Sequence, residues 1–140
     1  MQAALSGACL CGAVRFHATP HEMSMNVCHC GMCRKWTGGV FMSVHCDSVE
    51  ITDAAALGVY ASSEWAERLF CRTCGTSLLW RMPGKSAAAV SLAAFDDASA
   101  FAFTEEIFID EKPALYAFAN ETEKKTGPEV MAAFAAQGNA

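Results

Sequence analysis

Residues 68–80 read RLFCRTCGTSLLW. Arg68-Leu69-Phe70 and Leu78-Leu79-Trp80 are short strand signals, and between them Cys71 and Cys74 stand in C-x-x-C spacing, followed at once by Gly75. Strand, knuckle, strand is the order of a zinc ribbon, which predicts a mainly β chain carrying metal in its turns. Gly75 predicts a left-handed turn that lets backbone N–H groups face the two sulfurs and balance their charge.

Outward from this stretch, the remaining cysteines fall into the same kind of spacing. Cys9 and Cys11 form C-x-C, Cys28, Cys30 and Cys33 form C-x-C-x-x-C, and Cys46 stands alone. The pairs Cys9/Cys11 and Cys71/Cys74 together supply the four thiolates of a closed, structural tetrahedral zinc site. A structural zinc contributes an apparent ~10–16 kcal/mol in peptides near neutral pH, enough to offset closing so long a loop. The triplet offers a second zinc only three sulfurs, and a vacant position there can hold water or an incoming thiolate, lower its pKa and aim it at an electrophile. A second reading stands beside it, in which Cys46 or a histidine closes the site and the chain is a non-catalytic module with two structural zincs presenting a surface to a protein partner. Cys46 alternates with Val40, Met42 and Val44, which suits a small buried hydrophobe on one strand face.

Around the triplet, His29 either orients a ligand or points away from it, and His45 is an acid–base candidate. His17 and His21 read as surface or strand-end residues. Arg34 and Lys35 can balance thiolate charge or receive substrate carboxylates, and Trp36, Phe41 and Gly38-Gly39 can wall a pocket; a solvated basic pair beside core aromatics is the competing reading. Asp96-Asp97 and Glu105-Glu106 read as solvated turn carboxylates.

The 140 residues, 53% hydrophobic and 18% charged, are expected to form one domain over 1–140. A net charge of −5, from 10 basic and 15 acidic residues, lacks the footprint of a nucleic-acid binder. No apolar run approaches the ~18 residues of a membrane span, and no signal peptide points to an oxidising compartment, so a soluble cytoplasmic protein with reduced cysteines is expected.

Further strands are expected through Val14 and Phe16, through Met23 to Val27, from Val40 to Cys46, in two short pieces around Val49-Ile51 and Leu57-Tyr60, from Ala88 to Leu92, and over Ile107-Phe108-Ile109. The triplet is placed in a loop, and residues 121–126 in a polar loop. Gly127-Pro128 opens a terminal helix with Val130, Met131 and Phe134 as its apolar face.

The motifs CLCGAVRF, CHCGMCRKWTGG and RLFCRTCGTSLLW, in this order and with these flanks, resemble the glutathione-dependent formaldehyde-activating enzyme family, to which centromere protein V is related. The likeness runs from about Gly7 to Ile107-Phe108-Ile109-Asp110-Glu111-Lys112-Pro113. It implies a β-tent fold of several small coiled antiparallel sheets, a structural zinc on Cys9, Cys11, Cys71 and Cys74, and a catalytic zinc on Cys28, Cys30 and Cys33. The implied reaction is a carbon–sulfur lyase reaction run backward, adding a small thiol, glutathione, to a small aldehyde, formaldehyde, to give S-hydroxymethylglutathione. Two departures bear on substrate. Glu105 and Glu106 stand where many relatives carry histidine, and Leu115 where a tryptophan is common, so an acidic patch disfavouring an anionic tripeptide is expected there.

Overall fold

The computed structural model describes residues 2–137. Its elements, in chain order, are β1 (Leu5–Ala8), β2 (Arg15–Pro20), β3 (Ser24–Cys28), α1 (Gly31–Thr37), β4 (Phe41–Asp53), β5 (Leu57–Ala61), β6 (Glu67–Cys71), β7 (Ser77–Arg81), β8 (Ala88–Ser91), β9 (Ala102–Ile107), β10 (Glu123–Lys125) and α2 (Gly127–Ala136). The fold is mainly β, with a short C-terminal helix, as the sequence predicts. The described residues gather into two compact units: 2–24 with Ser43–Ala102, and Met25–Met42 with 103–137.

In the first unit the strand order is β1-β2-β4-β8-β7-β6-β5, antiparallel throughout. Alternation drives β2: Phe16, Ala18 and Pro20 are buried while Arg15 and His17 face out. Leu69, Leu78, Leu79 and Val90 are wholly buried, so the β6–β7 hairpin read at the outset forms part of this unit's core. Gly7 is there because of crowding: a Cβ at this position would run into the Phe16 ring and the Ala94 carbonyl.

β4 corrects one expectation. Val49 and Ile51 form no separate strand but continue β4, a single run of 13 residues. No glycine or proline interrupts that stretch, and a register shift against β2 between Thr19 and Pro20 absorbs the irregularity instead. The buried positions change parity along it: Phe41 and Ser43, then Val44 and Cys46. Met42 is therefore exposed, rather than sharing a face with Val44 and Cys46.

In the second unit the order is β10-β9-β3, and β10 runs parallel to β9, so the sheets are mixed rather than purely antiparallel. The strand expected over 107–109 ends at Ile107, because Phe108 takes a left-handed conformation (φ 54°) and Ile109–Glu111 winds into a 3-10 turn. The polar loop expected over 121–126 contains β10. Three charged residues hold a strand there because β9 supplies backbone partners and Glu105 receives the Lys125 ammonium at 2.8 Å. Helix α2 starts as predicted, with Thr126 and Glu129 forming a capping box around Pro128. Its apolar face is only partly covered: Val130 and Phe134 are half-buried and Met131 is exposed.

Candidate metal centres

In the first unit the sulfurs of Cys9, Cys11, Cys71 and Cys74 all lie within 4.8 Å of one another. Gly75 takes the predicted left-handed turn (φ 82°), its N–H bonding the Cys71 carbonyl at 2.8 Å, while the Thr73 and Cys74 N–H groups point at Cys71 Sγ at 3.3 and 3.4 Å. The first pair repeats the device: Gly12 turns at φ 80°, and the Val14 N–H lies 3.3 Å from Cys9 Sγ. Thr76 ties the two knuckles together, its hydroxyl 3.2 Å from Cys74 Sγ and accepting the Leu10 N–H at 3.0 Å. The Thr76 hydroxyl and N–H pull the Cys74 thiol down to about 5. Cys11, although the Ala13 N–H favours its thiolate, is driven to about 11 by burial and the neighbouring sulfurs. So many thiols cannot all ionise side by side unless a cation neutralises them, and four soft sulfurs with N–H support suit zinc.

In the second unit the sulfurs of Cys28, Cys30 and Cys33 also lie within 4.8 Å of one another. They do not occupy a plain loop. Cys28 ends β3, Cys30 is the N-cap of α1 and Cys33 lies in its first turn, with the Cys33 N–H on Cys30 Sγ at 3.4 Å. Gly31 begins that helix rather than a free loop, and its N–H is taken by Glu111 Oε1 at 3.0 Å. Hydrogen bonding with the Cys30 and Cys33 sulfurs, and then burial, push the Cys28 thiol far above its ordinary range. A divalent ion relieves that crowding, and three close thiolates are again a donor set fit for zinc.

His29, between two of these cysteines, is wholly buried, and each of its four polar atoms has a partner. Its N–H donates to the Ile107 carbonyl at 3.1 Å, and its carbonyl accepts from Arg34 Nε at 2.9 Å. On the ring, Nε2 lies 2.8 Å from Glu106 Oε1 and Nδ1 2.8 Å from the Tyr116 hydroxyl. Glu106 is 1% exposed and also accepts the Thr122 hydroxyl at 2.5 Å, with Lys124 Nζ at 3.6 Å. Burial opposes its charge, yet the Thr122 and His29 hydrogen bonds hold its carboxyl below the usual range. An ionised carboxylate can only accept, so Nε2 carries a proton toward Glu106, while the Tyr116 hydroxyl faces Nδ1 on the other side of the ring.

Several predicted roles change here. Glu105 and Glu106 are not solvated turn carboxylates: one pairs with Lys125 and the other is buried on His29. Each acid has a cation or donor beside it, so they form no bare acidic patch against an anionic ligand. Arg34 donates Nε to the His29 carbonyl and reaches the Glu111 carbonyl at 3.4 Å, so it braces the backbone beside the cysteines. Lys35 is exposed. Trp36 packs edge-to-face on the buried Phe41 at 5.2 Å, the arrangement of core aromatics.

Cys46 belongs to neither cysteine group among the described residues. It is wholly buried, its thiol directed at the Val44 carbonyl at 3.6 Å and pushed up to about 12 by burial and then by Asp47. His17 and His21 are exposed, as read from sequence. His45 is exposed too, its ring 5.7 Å from that of His21, which bonds Asp47 at 2.9 Å. Asp96 and Asp97 are turn carboxylates, held by Ser6 and Ser99. The residues that sequence reasoning missed are Thr76, Glu111, Tyr116 and Thr122. Thr76 and Glu111 lie inside stretches quoted for the resemblance, and Tyr116 follows Pro113 by three residues, but no local pattern assigns any of them a contact.

Two cysteine clusters that could hold metal ions stand on a mainly β frame. The family described as "Glutathione-dependent formaldehyde-activating enzyme" matches residues 4–111, and the chain belongs to that family. An uncharacterized lyase of Schizosaccharomyces pombe is 37% identical over 127 residues, covering 89% of this chain and 93% of that protein. A Halomonas elongata protein, provisionally named a glutathione-dependent formaldehyde-activating enzyme, is 34% identical over 84 residues, 53% of this chain and 54% of its own. The crystal structure of a Rhodobacter sphaeroides protein shares the fold, with a TM-score of 0.57 at 23% identity over 66% of this chain and 88% of that one.

Proposed function

We propose that the chain is a zinc-dependent carbon–sulfur lyase that joins a small thiol, glutathione or a close analogue, to a small aldehyde such as formaldehyde, and cleaves the S-hydroxymethyl adduct in reverse. In the forward direction a carbon–sulfur bond forms, the carbonyl π bond breaks, and the thiol proton ends on the new hydroxyl. The observation that carries this reading is the inequality of the two clusters: four sulfurs gather in one and three in the other. The two residues best placed in sequence to close the smaller one, Cys46 and His29, are both engaged elsewhere. Family membership and the names of the relatives support the same reaction.

Cys9, Cys11, Cys71 and Cys74 would hold a structural zinc, and Cys28, Cys30 and Cys33 a catalytic one. Zinc bound by the three sulfurs supplies Lewis acidity, lowering the pKa of a thiol or water at its open position. The chain's own residues prepare that place. His29, Arg34 and Glu111 fix the backbone from Cys28 to Gly31, so that the sulfurs are held before any ligand arrives. Lys35, exposed two residues after Cys33, and Arg34 beside it are cations able to steer a carboxylate of the thiol substrate.

The test is NMR exchange spectroscopy of 13C-formaldehyde with glutathione, cysteine and 2-mercaptoethanol, each with and without protein. Faster exchange for one thiol, lost in Cys33→Ser, is expected. No acceleration with any thiol would return the chain to the non-catalytic zinc module.

A further inference from the structure

We infer that Glu106, His29 and Tyr116 act together as positioning residues for the three-cysteine site, with Tyr116 latching residues 112–122 as a strap whose closure is coupled to metal binding. The inference rests on the reading of Cys28, Cys30 and Cys33 as metal ligands. Tyr116 and Thr122 lie beyond the segment matched by the family, which ends at residue 111.

Residues 112–122 form neither helix nor strand between the 3-10 turn and β10. Apolar burial does not hold the strap at its tip, since Leu115 is 83% exposed. Two of its aromatic residues meet His29, and Thr122 at its far end bonds Glu106. The Tyr116 hydroxyl bonds His29 Nδ1 at 2.8 Å, the two rings lie 5.5 Å apart, and the Phe118 ring sits 6.1 Å from His29 while packing edge-on against Phe103 at 5.2 Å.

His29 is a lever because of its place. It separates ligands Cys28 and Cys30, its N–H and carbonyl are tied to Ile107 and Arg34, and its ring is held between Glu106 and Tyr116, so one residue anchors both the backbone between the two sulfurs and the strap. Glu106 sets the orientation of the ring. By accepting from Nε2 it turns Nδ1 toward the Tyr116 hydroxyl; a neutral amide at 106 can donate as well as accept and releases that constraint. Linkage is reciprocal: if a closed strap favours the sulfur arrangement that grips metal, bound metal favours the closed strap by the same factor.

The experiment uses the metal-loaded protein, Tyr116→Phe and Glu106→Gln. Release of zinc to a chromogenic chelator is followed alongside hydrogen exchange of residues 112–122 by mass spectrometry. The wild type is expected to release metal in two phases, and Cys33→Ser identifies the one belonging to the triplet. Both variants should speed that phase about tenfold and raise strap exchange about tenfold, leaving the Cys9/Cys11/Cys71/Cys74 phase unchanged as an internal reference. Stripping metal from the wild type should raise strap exchange as well.

Unchanged release from the triplet, or equal acceleration of both phases, would overturn the inference while leaving the metal reading intact. A wild type whose metal content is unaltered by Cys33→Ser would overturn both. Tyr116→Phe keeps the ring and its packing, so it decides the question alone if Glu106→Gln does not fold.

Discussion

Cys46 and Glu106 show how differently single residues announce themselves. Cys46 behaves as its sequence neighbours predict, a buried thiol outside both clusters. Cys46→Ala should therefore leave two metals per chain by elemental analysis and lower stability by about 1 kcal/mol in urea titrations, from lost packing alone; loss of one metal would make it a ligand. Glu106 gave no such signal, because its partner His29 is 77 residues away and no local pattern encodes that meeting. Its carboxyl lies below the ordinary 4.5 in the folded chain, so it contributes stability that is present above that value and lost as pH falls through the lower folded value. Glu106→Gln removes this contribution. Urea midpoints measured from pH 6 to pH 3 should fall less steeply in the variant than in the wild type, and parallel curves would deny the carboxylate this role. The seven clustered cysteines were legible for the opposite reason: C-x-C and C-x-x-C are local, and each pair or triplet declares itself within six residues.

Among elements, the β6–β7 hairpin was readable because strand signal, knuckle and glycine coincide in one stretch. Helix α1 was not, since a seven-residue helix is shorter than any hydrophobic period can mark and its N-cap is a cysteine, which the metal spacing already explained. β10 was missed because Glu123-Lys124-Lys125 has charged side chains and owes its strand to pairing with β9 and to the Lys125–Glu105 ion pair. The end of β9 was misplaced by two residues because a left-handed phenylalanine at 108 is not foreseeable from apolar content. Close approach leaves a clearer prediction in β1. Gly7→Ala pushes a methyl into the Phe16 ring and the Ala94 carbonyl, and should cost about 1–3 kcal/mol by thermal or urea unfolding. A variant as stable as wild type would show that this contact yields freely.

At the scale of the molecule, each unit contains one complete cysteine cluster: four sulfurs in the first, three in the second. The mainly β class and both cysteine groupings were legible because cysteine spacing and strand alternation are short-range properties. The division into units was not, since each is assembled from segments far apart in the chain. The family places the chain among glutathione-dependent formaldehyde-activating enzymes, and the difference of one sulfur between the clusters carries the proposed chemistry. Cobalt substitution followed by titration with glutathione tests that difference most directly, because thiolate-to-cobalt bands report each ligand gained. Two cobalt ions per chain are expected, with the bands of one growing as the thiol enters and the change abolished in Cys33→Ser. Two bound ions whose spectrum ignores the thiol would contradict it.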